Sequence, residues 1–217
     1  LSKLFGTSIH LKLENLQYTS SFKSRGAFIA LQALSDKKRK TGIITMSAGN
    51  HAQAIAFRAK QENIKSVIVM PEQTPFTKIS KTRSFGAEIV LTGRTLDEAK
   101  LEVDRLIKKN GFHLIHPFDD PNIIAGQGTI GIEILDAIPK LDYLIVPIGG
   151  GGLISGISIA VKSINPGIKI IGVESELYPS MSRSLAGLPP KSGGDTLAEG
   201  IAVKNAGSLT KPIVEDL

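Results

Sequence analysis

Lys23 stands in the stretch Thr19-Ser20-Ser21-Phe22-Lys23-Ser24-Arg25-Gly26-Ala27, small and hydroxyl residues ahead of an apolar pattern. A lysine in the first turn of a helix faces free N–H groups, a positive electrostatic end. That position and partial burial both favour the neutral amine, which is a nucleophile or a base near neutral pH. Two further turns could hold anions. Ser47-Ala48-Gly49-Asn50-His51 lies between an apolar run ending at Met46 and a helical pattern starting near Asn50. N–H groups at a helix start suit a carboxylate or a phosphate, and Ser47 and Asn50 add side-chain donors. A plain strand-to-helix cap would use the same residue types. Gly149-Gly150-Gly151-Gly152-Leu153 follows a second apolar run and opens another helical pattern. Four glycines expose consecutive N–H groups with no Cβ in the way, which can wrap a phosphate.

Other candidates carry less. Gly150, Gly152 and Gly156, with Glu174 at the end of the next apolar run, form a loose dinucleotide fingerprint, so a nicotinamide-binding protein is a competing reading. Gly126, Gly128 and Gly131 sit inside a helical pattern, where each costs about 1 kcal/mol. Close packing against a sheet or a cofactor region would explain them, and no chemistry is assigned to them. His51 lacks metal-ligand spacing to His10, His113 or His116 and reads as a packed or hydrogen-bonded histidine.

The elements that must position these residues alternate. Strands are predicted at 9–14, 42–46, 66–70, 87–91, 112–115, 143–148 and 169–174. Helices are predicted at 22–35, 50–62, 77–85, 95–110, 121–138 and 153–164. The hydroxyls of 19–21 are expected to cap the first helix. Thr95 and Glu98 form a capping-box pattern for the fourth, with Leu96, Ala99, Val103, Leu106 and Ile107 as its stripe and Gly111 as terminator. This rhythm argues for α/β architecture with parallel sheets covered on both faces. Leu144-Ile145-Val146 reads as a strand buried on both sides.

Composition narrows the partners. The chain has 217 residues, 41% hydrophobic and 21% charged, an ordinary globular balance. The absence of cysteine excludes disulfides, thiolate metal sites and a Cys nucleophile. The net charge of +6 is dispersed, and the one basic run, Lys37-Lys38-Arg39-Lys40, reads as the solvated end of a helix. With 5% aromatics this argues against nucleic acid, and an anionic small ligand fits the charge. No apolar run approaches a membrane span and no signal-peptide pattern opens the chain, so a cytoplasmic protein without a membrane partner is expected. The chain opens on Leu1 and closes on Pro212-Ile213-Val214-Glu215-Asp216-Leu217, which reads as a piece of something longer.

The order of the motifs is specific. Leu11-Lys12-Leu13-Glu14-Asn15, Ser21-Phe22-Lys23-Ser24-Arg25-Gly26-Ala27, Ser47-Ala48-Gly49-Asn50-His51-Ala52-Gln53 and the tetraglycine follow one another. With Ala125-Gly126-Gln127-Gly128-Thr129, Val146-Pro147-Ile148, Ile164-Asn165-Pro166 and Gly193-Gly194-Asp195-Thr196-Leu197-Ala198-Glu199-Gly200, nearly the whole chain resembles one family. It is similar to the fold-type II pyridoxal-phosphate-dependent enzymes (tryptophan synthase beta-like family), in the threonine dehydratase and serine racemase branch, with catabolic threonine dehydratases nearest in pattern. The resemblance implies a two-domain enzyme, here as an incomplete chain. Residues 1–41 and 120–217 would belong to the large domain and 42–119 to the small one, with His116-Pro117-Phe118-Asp119-Asp120-Pro121 as the return crossing. It also implies pyridoxal 5′-phosphate as cofactor, held as a Schiff base on Lys23. Phe22 would lie near the ring, Asn50 on its 3′-oxygen, and Gly149, Gly150, Gly151, Gly152 and Leu153 on the phosphate. Ser47, Gly49, Asn50 and His51 would receive the carboxylate of a small amino-acid substrate. The implied activity is an L-threonine/L-serine ammonia-lyase giving a 2-keto acid and ammonia by β-elimination, in a homo-oligomer. A serine racemase, or another β-eliminating or β-replacing enzyme, is the alternative within the family. Serine racemases carry a serine where this chain has Ala48, so elimination is expected over racemisation. The residue facing the pyridine nitrogen in the family would fall beyond Leu217. Family members that bind a divalent cation use an acid at the position of Glu174 and a second one downstream. The downstream positions here read Leu177-Tyr178-Pro179-Ser180, so no metal is expected and Glu174 is only a weak candidate.

Overall fold

The computed structural model describes residues 1–217, with the side chains of 96 and 97 outside the described set. In chain order the elements are α1 (Ser2–Phe5), α2 (Lys23–Gln32), α3 (Asp36–Thr41), β1 (Ile43–Met46), α4 (Asn50–Gln61), β2 (Ser66–Met70), α5 (Phe76–Ser84), β3 (Glu88–Leu91), α6 (Leu96–Asn110) and β4 (His113–Leu114). They continue as α7 (Pro121–Ala137), β5 (Tyr143–Pro147), α8 (Gly152–Ile164), β6 (Lys169–Val173), α9 (Ser180–Leu185) and α10 (Thr210–Asp216).

Two parallel sheets result. The first has the order β3-β2-β1-β4, and the second pairs β5 with β6. Alternation along the strands covers both faces of the first sheet. Ile43, Ile68 and Met70 pack with α2, α4 and α5, while Ile44, Val67 and Val69 pack with Ala99 and Val103 of α6. The α6 cap forms as the pattern predicts: Glu98 N–H donates to Thr95 Oγ1 at 3.2 Å, and Gly111 ends the helix in the left-handed region at φ 73°. The expected place of Leu96 on the α6 stripe lies outside the described residues.

The second sheet departs from expectation. Leu144 and Val146 are buried, but Tyr143 and Ile145 are exposed, so β5 is not covered on both faces. Helices pack on one side of the pair, where Ile154, Ile157 and Val161 of α8 and Ile130 of α7 form its core. Residues 9–13 form no strand either. Their alternation is real, but no neighbouring strand offers a ladder among the described residues, and Leu11 and Leu13 stay exposed. The pattern 22–35 also divides. Helix α2 stops at Gln32, and Ser35 caps α3, which carries the basic run Lys37–Lys40.

The glycines of α7 pack against helices, not against a sheet. A Cβ on Gly126 would lie 2.5 Å from the Gly26 Cα in α2, and one on Gly128 would lie 2.9 Å from the Gly156 oxygen in α8. Helix α7 therefore touches α2 and α8 backbone to backbone, so the helix bearing Lys23 and the helix that starts at the tetraglycine are both held on α7.

Candidate active site

Strand order locates a crevice. The chain runs outward from β1 through β2 to β3, then returns to the other side of β1 as β4. In open α/β sheets ligands bind where the order reverses, outside the carboxyl ends of the strands. Ser47–His51 follows β1 there, and Ile115–Phe118 follows β4.

Lys23 opens α2, with Phe22 in the cap position. The expected hydroxyl cap is only approximate: Ser21 Oγ accepts from the Lys23 N–H at 3.3 Å, one position away from a regular cap. The Lys23 Nζ donates to the Pro117 oxygen at 2.6 Å and lies 5.3 Å from the centre of the Phe22 ring. The residue as a whole is half-buried while its amine is enclosed, and that burial lowers its pKa to about 8. Two residues on, Arg25 is gripped by both oxygens of Glu14 at 2.8 and 2.9 Å and both of Glu133 at 2.6 and 2.7 Å. This double fork ties the first turn of α2 to α7.

The loop after β1 is open to a ligand. Gly49 precedes α4 with no side chain capping the helix, and a Cβ added there would meet nothing within 4 Å. Protein packing therefore does not require glycine at this position. Ser47 Oγ accepts from the Gly49 N–H at 3.2 Å, which leaves the hydroxyl hydrogen free to donate outward. Asn50 is exposed as the first residue of α4. His51 is buried, and its Nε2 donates to the Ile115 oxygen at 3.3 Å, which Thr45 Oγ1 also reaches at 2.7 Å. Burial, then repulsion from Lys23, holds its pKa well below the ordinary value. The ring is a neutral, packed histidine, as the sequence suggested. Only the His51 backbone N–H is available to an anion at the helix end.

The tetraglycine joins β5 to α8. Gly151 is left-handed at φ 97°, and a Cβ there would lie 2.6 Å from both Met181 Cε and Thr210 Oγ1. A side chain at Gly150 would overlap the Phe118 ring. Two carbonyls of the turn are tied back into the protein: Ser180 Oγ donates to the Gly149 oxygen at 2.9 Å, and Thr210 Oγ1 to the Gly150 oxygen at 2.6 Å. Across a trans peptide the next N–H points the opposite way. The N–H groups of Gly150 and Gly151 are therefore directed away from Ser180 and Thr210, and they immediately precede α8, whose start no side chain caps. Donors only, no Cβ and a helix end make a cradle that fits a phosphate.

Residues 115–118 bring the three motifs together. Ile115 holds His51, Pro117 holds Lys23, and Phe118 lies against Gly150 and Gly152. The sequence reading makes Ile115 a strand end and 116–118 part of a crossing, with no role in the site. Backbone acceptors carry its contacts to Lys23 and His51, and composition does not mark a carbonyl. The segment 207–210 carries no sequence signature either, since its contacts come from turn N–H groups and the Ser208 and Thr210 hydroxyls. Glu174 has another role than those weighed for it: its carboxylate accepts from Met181 N at 2.6 Å and Ser182 N at 2.9 Å, at the start of α9. The acid that the dinucleotide fingerprint needs is thus engaged in a helix end.

The profile of the family described as "Pyridoxal-phosphate dependent enzyme" matches residues 1–217. L-threonine ammonia-lyase of Thermotoga maritima is 50% identical over 217 residues, 99% of this chain and 54% of that protein. The chain thus spans about half the length of this curated relative. The processed form of threonine deaminase isoform 2 from Solanum lycopersicum superposes with a TM-score of 0.95 at 42% identity, over 100% of this chain and 64% of that one. Serine racemase from Dictyostelium discoideum does so with a TM-score of 0.91 at 38% identity, over 99% and 69%.

Proposed function

We propose, from the premise that the chain belongs to the pyridoxal-phosphate dependent enzyme family, that it carries the catalytic lysine and both anion sites of an L-threonine/L-serine dehydratase. The observation that carries this reading is the convergence of Lys23, the Ser47–His51 loop and the tetraglycine on Ile115–Phe118. The threonine ammonia-lyase and threonine deaminase relatives support the substrate class. On this reading residues 42–119 are a small domain and 1–41 with 120–217 belong to a large one. On the same reading the enzyme works in the cytoplasm as a homo-oligomer.

The donor set fits pyridoxal phosphate. Lys23 would hold it through its amine, Phe22 and Asn50 would flank the ring, and the N–H groups from Gly149 to Leu153 would take the phosphate. When bound, the cofactor supplies an electron-withdrawing ring that stabilises negative charge at the substrate Cα. The chain supplies position and protons. Ser47, Gly49, Asn50 and the His51 N–H hold the amino-acid carboxylate at the start of α4. Lys23 Nζ, with its pKa near 8, takes the Cα proton as a neutral base. The β-hydroxyl takes up a proton and leaves as water, and the enamine released adds water to give a 2-keto acid and ammonia.

Racemisation is the second reading, favoured by the likeness to serine racemase. It needs an acid–base group on the face opposite Lys23, and Ala48 offers a methyl group that can exchange no proton. Purified full-length protein should form keto acid from L-threonine and L-serine and leave residual serine without D-enantiomer. Borohydride reduction followed by peptide mapping should place a pyridoxyl group on Lys23. Label on another lysine, or appreciable D-serine, would overturn the dehydratase reading.

A further inference from the structure

Asp119 has no part in the motifs, yet it has four hydrogen bonds. Its Oδ2 accepts from the Ser208 N–H at 2.9 Å and the Ser208 hydroxyl at 2.7 Å. Its Oδ1 accepts from the N–H groups of Leu209 at 2.8 Å and Thr210 at 3.3 Å. A side chain at Gly207 would overlap the carboxylate, so the turn 207–210 is shaped around it. Partial burial pushes the Asp119 pKa up, and the bonds from Ser208, Leu209 and Thr210 outweigh it and hold the group ionised. On its own side the loop is braced by His116, whose Nδ1 accepts from the Asp119 N–H at 2.8 Å.

Each neighbour of this junction reaches a working part of the site. Thr210, fixed by Asp119, donates through Oγ1 to the Gly150 oxygen, and that bond aims the Gly151 N–H outward. The Gly207 N–H donates to the same oxygen at 3.1 Å. Two residues before Asp119, the Pro117 oxygen accepts from Lys23 Nζ, and between them Phe118 lies against Gly150 and Gly152. One carboxylate thus stands between the seat of the amine and the seat of the phosphate.

We propose that Asp119 is a positioning residue which, through Thr210 on one side and Pro117 on the other, holds the glycine-turn N–H groups and the Lys23 amine in one frame. It rests on the reading of Lys23 and the tetraglycine as the cofactor's two anchors. Without the carboxylate, residues 208–210 lose four bonds, the Gly150 carbonyl is released and the 116–118 loop loosens over Lys23. Both anchors should change together.

The test uses the full-length protein and its variants Asp119→Ala, Asp119→Asn and Ser208→Ala. Two quantities are measured on protein freed of cofactor: the ratio of affinities for pyridoxal phosphate and for pyridoxal, and the pH midpoint of Lys23 acetylation. The first isolates the phosphate seat, and the second reports the enclosure of an amine that His51 and His116 also face. Asp119→Ala should lower the affinity ratio about tenfold and raise the Lys23 midpoint by about one pH unit. Asp119→Asn, which keeps an acceptor and guards against a variant that fails to fold, should move both in the same direction by less. Ser208→Ala should give the smallest paired change. An unchanged ratio, an unchanged midpoint, or a change in one without the other in folded Asp119→Asn would overturn the proposal. Borohydride labelling of Lys23 in the unmodified protein decides the underlying reading separately.

Discussion

Two residues of the crevice make predictions whose signs can be worked out. The Lys23 pKa of about 8 lies below the ordinary lysine value of 10.5 because its ammonium is enclosed. Above about pH 8 the folded protein presents a neutral amine while the unfolded chain still holds the proton, up to about 10.5. The contribution of Lys23 to stability should therefore rise with pH across that window and be flat below it, where both states are protonated. Competitive labelling of cofactor-free protein across pH, alongside lysine reference peptides, should find Lys23 half-reacted near 8 and the peptides near the ordinary 10.5. A common midpoint for all of them would remove the case for an activated amine. Gly49 makes the second prediction. Its missing Cβ would touch nothing, so Gly49→Ala should shift stability by less than about 1 kcal/mol. The new methyl group would stand over the uncapped start of α4, and KM for the amino acid should rise at least tenfold. An unaltered KM would mean that the open space above the loop has no ligand.

The contact of helices α2, α7 and α8 depends on glycine, and here the consequence is mechanical. A Cβ on Gly156 would overlap the Ile124 oxygen and lie 2.6 Å from the Gly128 nitrogen, both backbone atoms that cannot swing aside. Gly156→Ala should cost about 1–3 kcal/mol, the range for overpacking a tight interface. It should lower the urea midpoint without changing the slope. A midpoint equal to that of the unmodified protein would show that the helices can separate without loss. At this scale the sequence was legible wherever burial imposed a period. β1, β2 and β3 and the long helices α4, α6, α7 and α8 fall within a residue or two of their expected places, because apolar side chains had to face a core. Residues 9–13 misled because alternation marks an extended chain and does not supply the partner that makes it a strand. Helices α3, α9 and α10, of 6, 6 and 7 residues, are too short to build an apolar stripe. Candidate site residues with a chemical signature, Lys23 and the glycine turns, stand out in the sequence. Pro117, Asp119 and Thr210 do not, because carbonyls, caps and turns of this kind recur throughout any globular chain.

The whole molecule carries an imbalance that its composition conceals. Its first sheet is covered on both faces by α2, α4 and α5 against α6, whereas the second has helices on one face only. On the other face Ile145 pairs with Ile171 and Pro147 with Val173 across β5 and β6, and Ile145, Ile171 and Val173 are 69%, 44% and 46% exposed. Leu4, Phe5, Leu11 and Leu16 in the first segment are exposed as well. A bare apolar sheet face of this kind is rare on a protein that is stable as a monomer, because water drives such faces together. Among the described residues no helix is long and apolar enough to cross a membrane, so a transmembrane helix there does not account for it. The net charge of +6 is small against such a patch at ordinary salt, where exposed charges are screened beyond about 8 Å. Residues 1–217 expressed by themselves should accordingly self-associate and bind a hydrophobic dye. The double variant Ile145→Lys with Ile171→Lys places two charges on opposed positions of the bare face and leaves the buried Leu144 and Val146 untouched. It should shift the elution of the chain toward the monomer in size-exclusion chromatography with light scattering and reduce dye binding several-fold. If the unmodified chain already elutes as a monomer that binds no dye, the uncovered sheet is not sticky and the imbalance has no consequence in solution.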